Sequence, residues 1–157
     1  MVHSCVFSSP IGNLKICEEQ GCITGVSLVD KESSDKYDFA GVLYDACIQL
    51  DEYFSGKRKV FDLPIRYEGT CFQQKVWKQL QTIPYGETRS YSDIADAVGN
   101  AKAVRAVGQA NNKNPILIII PCHRVINKNG NLAGFACGLE VKKYLLELES
   151  ANSLLNN

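Results

Sequence analysis

Residues 118–126 read IIIPCHRVI. An apolar run ends in a proline, and a cysteine, a histidine and an arginine follow at once. A core cysteine usually has apolar neighbours on both sides, whereas Cys122 sits where the chain turns polar and basic. A thiol attacks as the thiolate, and at neutral pH that form needs a base or a positive field. His123 can supply the base and Arg124 the field. Adjacent side chains of an extended segment point opposite ways, so a turn or a bridging water has to couple Cys122 to His123. A histidine base in turn needs a third group to fix its tautomer, and Glu147 and Glu149 are the candidates. On its own, a Cys-His dipeptide fits a structural cysteine beside a satisfied histidine equally well.

Upstream of this stretch, the spacing predicts helices. TCFQQKVWKQLQTI places Phe72, Val76, Trp77 and Leu80 on one face, with Thr70 as the N-cap. SYSDIADAVGN is a short helix capped by Ser90, with Ile94, Ala95 and Val98 apolar, and Gly99-Asn100 breaks it. AKAVRAVGQANN follows, with Val104 and Val107 inward and a left-handed asparagine cap before Asn114-Pro115. Two short helices broken by Gly-Asn fit a helix-turn-helix. The second is rich in alanine, which permits close approach to a groove but leaves few side chains to read base edges. ILIII is then an extended run delivering Pro121 and Cys122. Downstream, NKNGNLAGFACG is a polar loop, LEVKKYLLELES a last helix, and 151–157 a frayed tail.

The first part of the chain has a different period. CVFSS, NLKICEE and CITGVSLVD are short β-prone runs separated by SPIGN and EEQG, which predicts a three-stranded meander. LYDACIQLDEYFSG is an amphipathic helix with Leu43, Ala46, Cys47, Leu50 and Phe54 on one face and Gly56 as its stop. The 157 residues thus divide into an α/β unit, 1–68, and a mainly helical unit, 69–150.

Composition sets limits. The longest apolar run, Ile116–Ile120, is far too short to span a membrane, and MVHSCVFSSPIG carries no secretion signal. An intracellular chain is therefore expected. The seven cysteines are odd in number and include no Cys-x-x-Cys, so neither a disulfide framework nor a four-cysteine zinc site is predicted. His3 with Cys5, Cys17 and Cys22 fits no recurrent metal spacing. Net charge is zero but unevenly spread. Residues 1–68 carry seven basic against eleven acidic side chains, a net of −4; residues 69–157 carry ten against six, a net of +4. Between Ala97 and Leu139 there is no acid, while Lys102, Arg105, Lys113, Arg124 and Lys128 are basic. Such a one-sign field attracts polyanions.

PCHRVI (121–126), RAVGQANNKNP (105–115), IPYGETRSYSDIA (83–95), FQQKVW (72–77) and GLEVKKYLLELE (138–149) together resemble the O6-alkylguanine-DNA alkyltransferase family. SPIGNL (9–14) and LDEYFSGKR (50–58) match more loosely. The resemblance implies a ribonuclease-H-like N-terminal unit and a helical unit holding a helix-turn-helix and the active site. It implies irreversible, single-turnover, cofactor-free transfer of an alkyl group from O6-alkylguanine, and also O4-alkylthymine, in double-stranded DNA to Cys122. His123 would activate the thiol through a water, Glu149 would orient the imidazole and Asn114 would brace the turn. Tyr91 would hydrogen-bond the purine and help rotate the nucleotide out of the helix, and Arg105 would fill the vacated place. Gln73, Ser92, Lys102, Ala103, Gly108 and Lys128 would meet DNA. Val125, Phe135, Ala136 and Cys137 would line the pocket. Phe135 stands where the family commonly has tyrosine, and Ala136 lacks the hydroxyl some members carry. No metal is implied, binding would be largely indifferent to sequence, and the protein would act as a monomer in the cytoplasm, or the nucleus of a eukaryote. A thiol hydrolase or a helix-turn-helix regulator would instead show multiple turnover or strong sequence preference.

Overall fold

The computed structural model describes residues 2–30, 41–132 and 138–155. The chain folds into two compact units. The first comprises residues 1–67 together with Pro115–Leu117, and the second residues 68–114 and 118–157.

In the first unit, strands β1 (Val2–Ser9), β2 (Gly12–Glu19) and β3 (Cys22–Leu28) form an antiparallel meander in the order β1-β2-β3. Helix α1 (Val42–Phe54) packs on the sheet. Alternation puts Cys5 and Phe7 of β1 and Leu14 and Ile16 of β2 into the core. On β3 the inward pair is Ile23 and Val26, three residues apart, because Cys17 pairs with Gly25 but Glu18 with Ile23, leaving Thr24 as the extra residue of a bulge. The helix contributes Leu43, Ala46, Cys47, Leu50 and Tyr53. Tyr53, fully buried, takes the place expected for Phe54, which is only half-buried. Each such large apolar side chain gains about 1.5–3 kcal/mol from burial. Gly56, at φ 78°, closes the helix by donating from its N–H to the Tyr53 carbonyl, 3.1 Å. Gln49 fixes the connector that follows: its amide donates to the Asp62 carbonyl at 2.9 Å and accepts from the Asp62 N–H at 2.8 Å.

The outer edge of β3 is covered in two places. Ile23 exchanges hydrogen bonds with Pro64 and Arg66, and Val26 with Pro115 and Leu117. ILIII is therefore not one extended run. Leu117 pairs in the first unit, and at Ile118 the chain turns back with φ 73°, a left-handed conformation costly for a β-branched residue. The predicted left-handed asparagine cap is absent: α4 ends at Lys113 with φ −101°.

The second unit holds α2 (Cys71–Leu80), β4 (Arg89–Ser90), α3 (Tyr91–Ala97), α4 (Val104–Asn112), a 3-10 turn (Cys122–Arg124), β5 (Val125–Ile126) and α5 (Leu139–Leu155). Thr70 and Ser90 cap α2 and α3, each in a reciprocal capping box, with Gln73 and Asp93 reaching back. Val107 and Ala110 bury the inner face of α4, but Val104, expected inward, is exposed in its first turn. Strands β4 and β5 pair in parallel, Arg89 with Val125 and Ser90 with Ile126, which sets the start of α3 beside the 3-10 turn. The segment expected to fray stays helical to Leu155, and Asn152 donates to the Leu148 carbonyl at 2.8 Å.

The Trp77 indole N–H donates to the Ala110 carbonyl at 2.8 Å, tying α2 to the end of α4 inside the core. Trp77→Phe removes that bond and leaves the carbonyl with the Lys113 N–H alone, 3.1 Å away, and urea denaturation is expected to show a loss of about 0.5–1.5 kcal/mol. An unchanged midpoint would mean that the bond contributes nothing to folding.

Candidate active site

Cys122, His123 and Arg124 form a single 3-10 turn, so the cysteine and histidine are not the opposed neighbours of an extended strand. All three are buried. Two asparagines hold the segment leading into the turn. Asn114 Nδ2 donates to the Ile120 carbonyl at 2.6 Å, and Asn111 Nδ2 to the Cys122 carbonyl at 3.3 Å. Asn111 has no counterpart among the residues singled out in the sequence.

The centre of the site is the carboxylate of Glu149, 1% exposed on α5. Its Oε2 meets His123 Nε2 at 2.6 Å and accepts from an Arg124 terminal N–H at 3.0 Å. Its Oε1 accepts from Arg124 Nε at 2.7 Å and from the Gly86 N–H at 3.2 Å. Four donors thus saturate two oxygens. The remaining guanidinium nitrogen of Arg124 donates to the Ile83 carbonyl at 2.7 Å, and the group lies 5.7 Å from the centre of the Tyr85 ring. Arg124, expected to lend its field to the thiol, is instead committed to Glu149. Of the two acids proposed to orient the histidine, Glu149 does so, while Glu147 is exposed and lies 4.0 Å from Lys143.

These contacts decide the protonation states. Burial alone would raise the pKa of Glu149, but the hydrogen bonds from His123 and Arg124, with the charge of Arg124, outweigh it and hold the carboxyl well below the usual range. For His123 the balance runs the other way. Complete burial lowers its pKa, with Arg124 and Lys142 adding to the effect, and this exceeds the pull of Glu149. The imidazole is therefore neutral beside an ionised carboxylate whose countercharge is Arg124. A carboxylate only accepts, so Nε2 carries the proton and Nδ1 keeps its lone pair. Nδ1 is buried and has no hydrogen-bond partner among the described residues. It is the one nitrogen of the ring available to take a proton.

Lys142, which the sequence does not single out, is fully buried. Its ammonium donates to the Val125 carbonyl and lies 5.8 Å from the centre of the Tyr91 ring. Burial holds its pKa below the usual lysine range, an effect the neighbouring Cys122 partly offsets. Burial and the same sulfur raise the Tyr91 pKa, which keeps the phenol protonated. The signal is present in LEVKKYLLELES: Lys142 shares the helical stripe of Leu145 and Glu149, at i, i+3 and i+7.

The other predicted residues separate into groups. Tyr91, nearly buried, opens α3, and Gly108 of α4 lies against its ring: a Cβ built there would stand 3.9 Å from Tyr91 Cε1. Arg105, Lys102 and Lys128 are exposed, while Ser92 and Ala103 are half-buried. Gln73 is engaged in the α2 capping box through its side-chain oxygen. The Val125 side chain is fully buried, and its carbonyl accepts from Lys142. Phe135, Ala136 and Cys137 lie outside the described residues. A cavity of about 440 Å³ bounded by Gln79, Ile83, Arg89 and Asp93 includes neither Cys122 nor Tyr91 in its lining. Among the described residues no group of three or more metal-ligating side chains converges.

Residues 71–151 match the family described as 6-O-methylguanine DNA methyltransferase, DNA binding domain, and residues 2–67 match its ribonuclease-like domain. A constitutive methylated-DNA–protein-cysteine methyltransferase of Bacillus subtilis is 49% identical over 150 residues, covering 90% of this chain and 91% of that one. The crystal structure of a Mycobacterium tuberculosis O6-methylguanine methyltransferase superposes with a TM-score of 0.87 at 42% identity, over 99% of this chain and 100% of that one. A second M. tuberculosis structure, described as OGT in complex with DNA, gives 0.87 at 44% identity over 96% and 94%.

Both depressed pKa values, of Glu149 and His123, contribute stability that is present above the unfolded-state value and lost as pH falls toward the folded one. The base should therefore stay neutral below its ordinary 6.5. Alkylation of Cys122 by iodoacetamide, followed over about pH 5 to 8, is expected to lose its histidine-dependent rate only below that value. Glu149→Gln leaves the Arg124 cation buried without its counterion, and is expected to cost about 3–5 kcal/mol in stability and to slow Cys122 alkylation roughly 100-fold. An unaltered rate in a folded variant would exclude Glu149 from activation.

Proposed function

The chain belongs to the 6-O-methylguanine DNA methyltransferase family, and from that premise we propose that it repairs DNA by moving the alkyl group of O6-alkylguanine onto its own Cys122. O4-alkylthymine is a second substrate of the same chemistry. The observation that carries the reading is the His123–Glu149 contact of 2.6 Å, with the opposite imidazole nitrogen left as a buried lone pair next to the cysteine in the chain.

The step balances without a cofactor. His123 Nδ1 takes the thiol proton, relayed by a water molecule, and the resulting imidazolium is stabilised by Glu149. A positive charge on Lys142, whose pKa is coupled to Cys122, would favour the thiolate. The sulfur attacks the alkyl carbon, the carbon–O6 bond breaks, and its electron pair passes into the guanine ring. The Tyr91 phenol, held protonated, donates to the ring nitrogen on which that charge develops. A thioether does not hydrolyse, so each chain acts once.

The target carbon lies inside the duplex, and exposing it costs a few kcal/mol of unstacking. Helices α3 and α4, joined through 98–103, are read as the helix-turn-helix, with α4 entering a groove. Exposed Arg105, Lys102 and Lys128 fit contacts to phosphates and to the vacated stack, and the small Ala103 and Gly108 allow close approach. Gln73 and Ser92 extend that surface. Residues 1–68 are read as the ribonuclease-H-like unit and 69–150 as the unit that binds DNA and accepts the alkyl group, working as a monomer in the cytoplasm or nucleus. No described helix is long and apolar enough to cross a membrane.

Mixing the protein with a duplex containing one O6-methylguanine should add one methyl to Cys122 by mass spectrometry, and none to Cys122→Ala. Multiple turnover, or an unmodified thiol, would reject the assignment. Arg105→Ala is expected to slow duplex repair about tenfold, near 1.4 kcal/mol, while sparing reaction with free O6-benzylguanine. Equal losses on both substrates would remove Arg105 from base extrusion.

A further inference from the structure

The two most deeply buried thiols of the first unit face one another. Cys5 of β1 and Cys47 of α1 are 3% and 2% exposed, and their sulfurs are 3.8 Å apart. Cys5 points into the core by the alternation that also buries Phe7, and Cys47 belongs to the α1 stripe with Leu43 and Leu50. The contact joins elements 42 residues apart in sequence. The half-buried Cys17 and Cys22 and the exposed Cys71 show no sulfur contact among the described residues. We propose that Cys5 and Cys47 are an oxidisable dithiol, a modification site separate from the alkyl acceptor, which hydrogen peroxide converts to an intramolecular disulfide between β1 and α1.

Closing the bond requires the sulfurs to approach from 3.8 Å to about 2.05 Å. The asymmetry of the pair sets the order of events. The hydrogen bond between the two sulfurs, in which either can donate, holds the Cys5 thiol below its usual range against the effect of burial, and that bond and burial push the Cys47 thiol up. Cys5 is therefore the sulfur that first becomes a thiolate. It attacks one peroxide oxygen: the S–O bond forms, the O–O bond breaks, and the departing hydroxide takes the proton Cys5 gave up. Cys47 then attacks the sulfenic sulfur. The S–S bond forms, the S–O bond breaks, and the second hydroxide leaves as water with the Cys47 proton. Two thiols and one peroxide yield one disulfide and two waters.

The test uses the full chain carrying Cys122→Ser, so that the repair thiol does not contribute. After mild peroxide treatment and alkylation with N-ethylmaleimide under denaturing conditions, the expected change is from six titratable thiols to four, one Cys having been removed from the seven. Digestion without reductant should yield a cross-linked peptide joining Cys5 to Cys47, and dithiothreitol should restore both thiols. A further substitution, Cys47→Ser, strands the intermediate, so dimedone should label Cys5; with Cys5→Ser in its place, dimedone should leave Cys47 unlabelled. Recovery of both sulfurs as thiols, their separate oxidation to sulfinic acids, or cross-links to other cysteines instead would overturn the proposal.

Discussion

A single buried carboxylate organises the second unit. Glu149 is withdrawn from water and remains charged because four donors converge on it, from the 3-10 turn that carries the cysteine and from the Gly86 turn. An ionised group in such a place is tolerable only when every lone pair is answered. That requirement explains the rigid surroundings. Arg124 fits the carboxylate as a fork, and its third nitrogen is anchored on Ile83. Gly86 has φ 80°, and a Cβ there would collide with Ser153 on the helix that carries Glu149, so only glycine brings that N–H to the carboxylate. Stability and chemistry share these contacts. The arrangement that keeps Glu149 charged also decides which imidazole nitrogen is basic.

Positive charge is divided between two roles. Arg124 neutralises the acid, while Lys142 is held on the Val125 carbonyl, with Cys122 near enough to raise its pKa against burial. Exchanging the two would not preserve either task. A guanidinium stays protonated wherever it is placed, which suits a permanent countercharge. A buried ammonium is more readily displaced from its charged form, and burial holds the Lys142 pKa below the usual lysine range, with Tyr91, the Val125 carbonyl and Cys122 as its neighbours.

Much of this is legible in the residues. Short β-prone runs between turn signals locate the meander, helical spacing locates α1 and α2, and the capping residues Thr70 and Ser90 locate two helix starts. PCHRV identifies the reactive turn, and Glu149 is among the two acids proposed for the histidine. What the sequence does not disclose depends on partners far away in the chain. Ile116 and Leu117 read as the start of one strand, but Ile116 sits opposite Val26, to which Pro115 and Leu117 make the hydrogen bonds, and Ile120 answers to Asn114, so the run bends between them. Lys142 stands on the Leu145–Glu149 stripe of α5, but whether a lysine there is buried is decided by what surrounds it in space. Arg124 is expected near the right atoms but with the wrong partner, since local spacing does not reveal that α5 returns to that point. The pocket residues Phe135, Ala136 and Cys137 lie outside the described part of the chain.

The assignment of Pro115–Leu117 to the first unit, between two stretches that belong to the second, has a bearing on how such a gene can evolve. The two units are not consecutive beads on one string. Any recombination event that exchanged one half for a foreign module at a single junction near residue 68 would leave three residues of the old partner's sheet embedded in the newcomer's sequence, immediately upstream of its reactive cysteine. Inheritance of the pair as one piece is the route that keeps both edges of that short insertion matched.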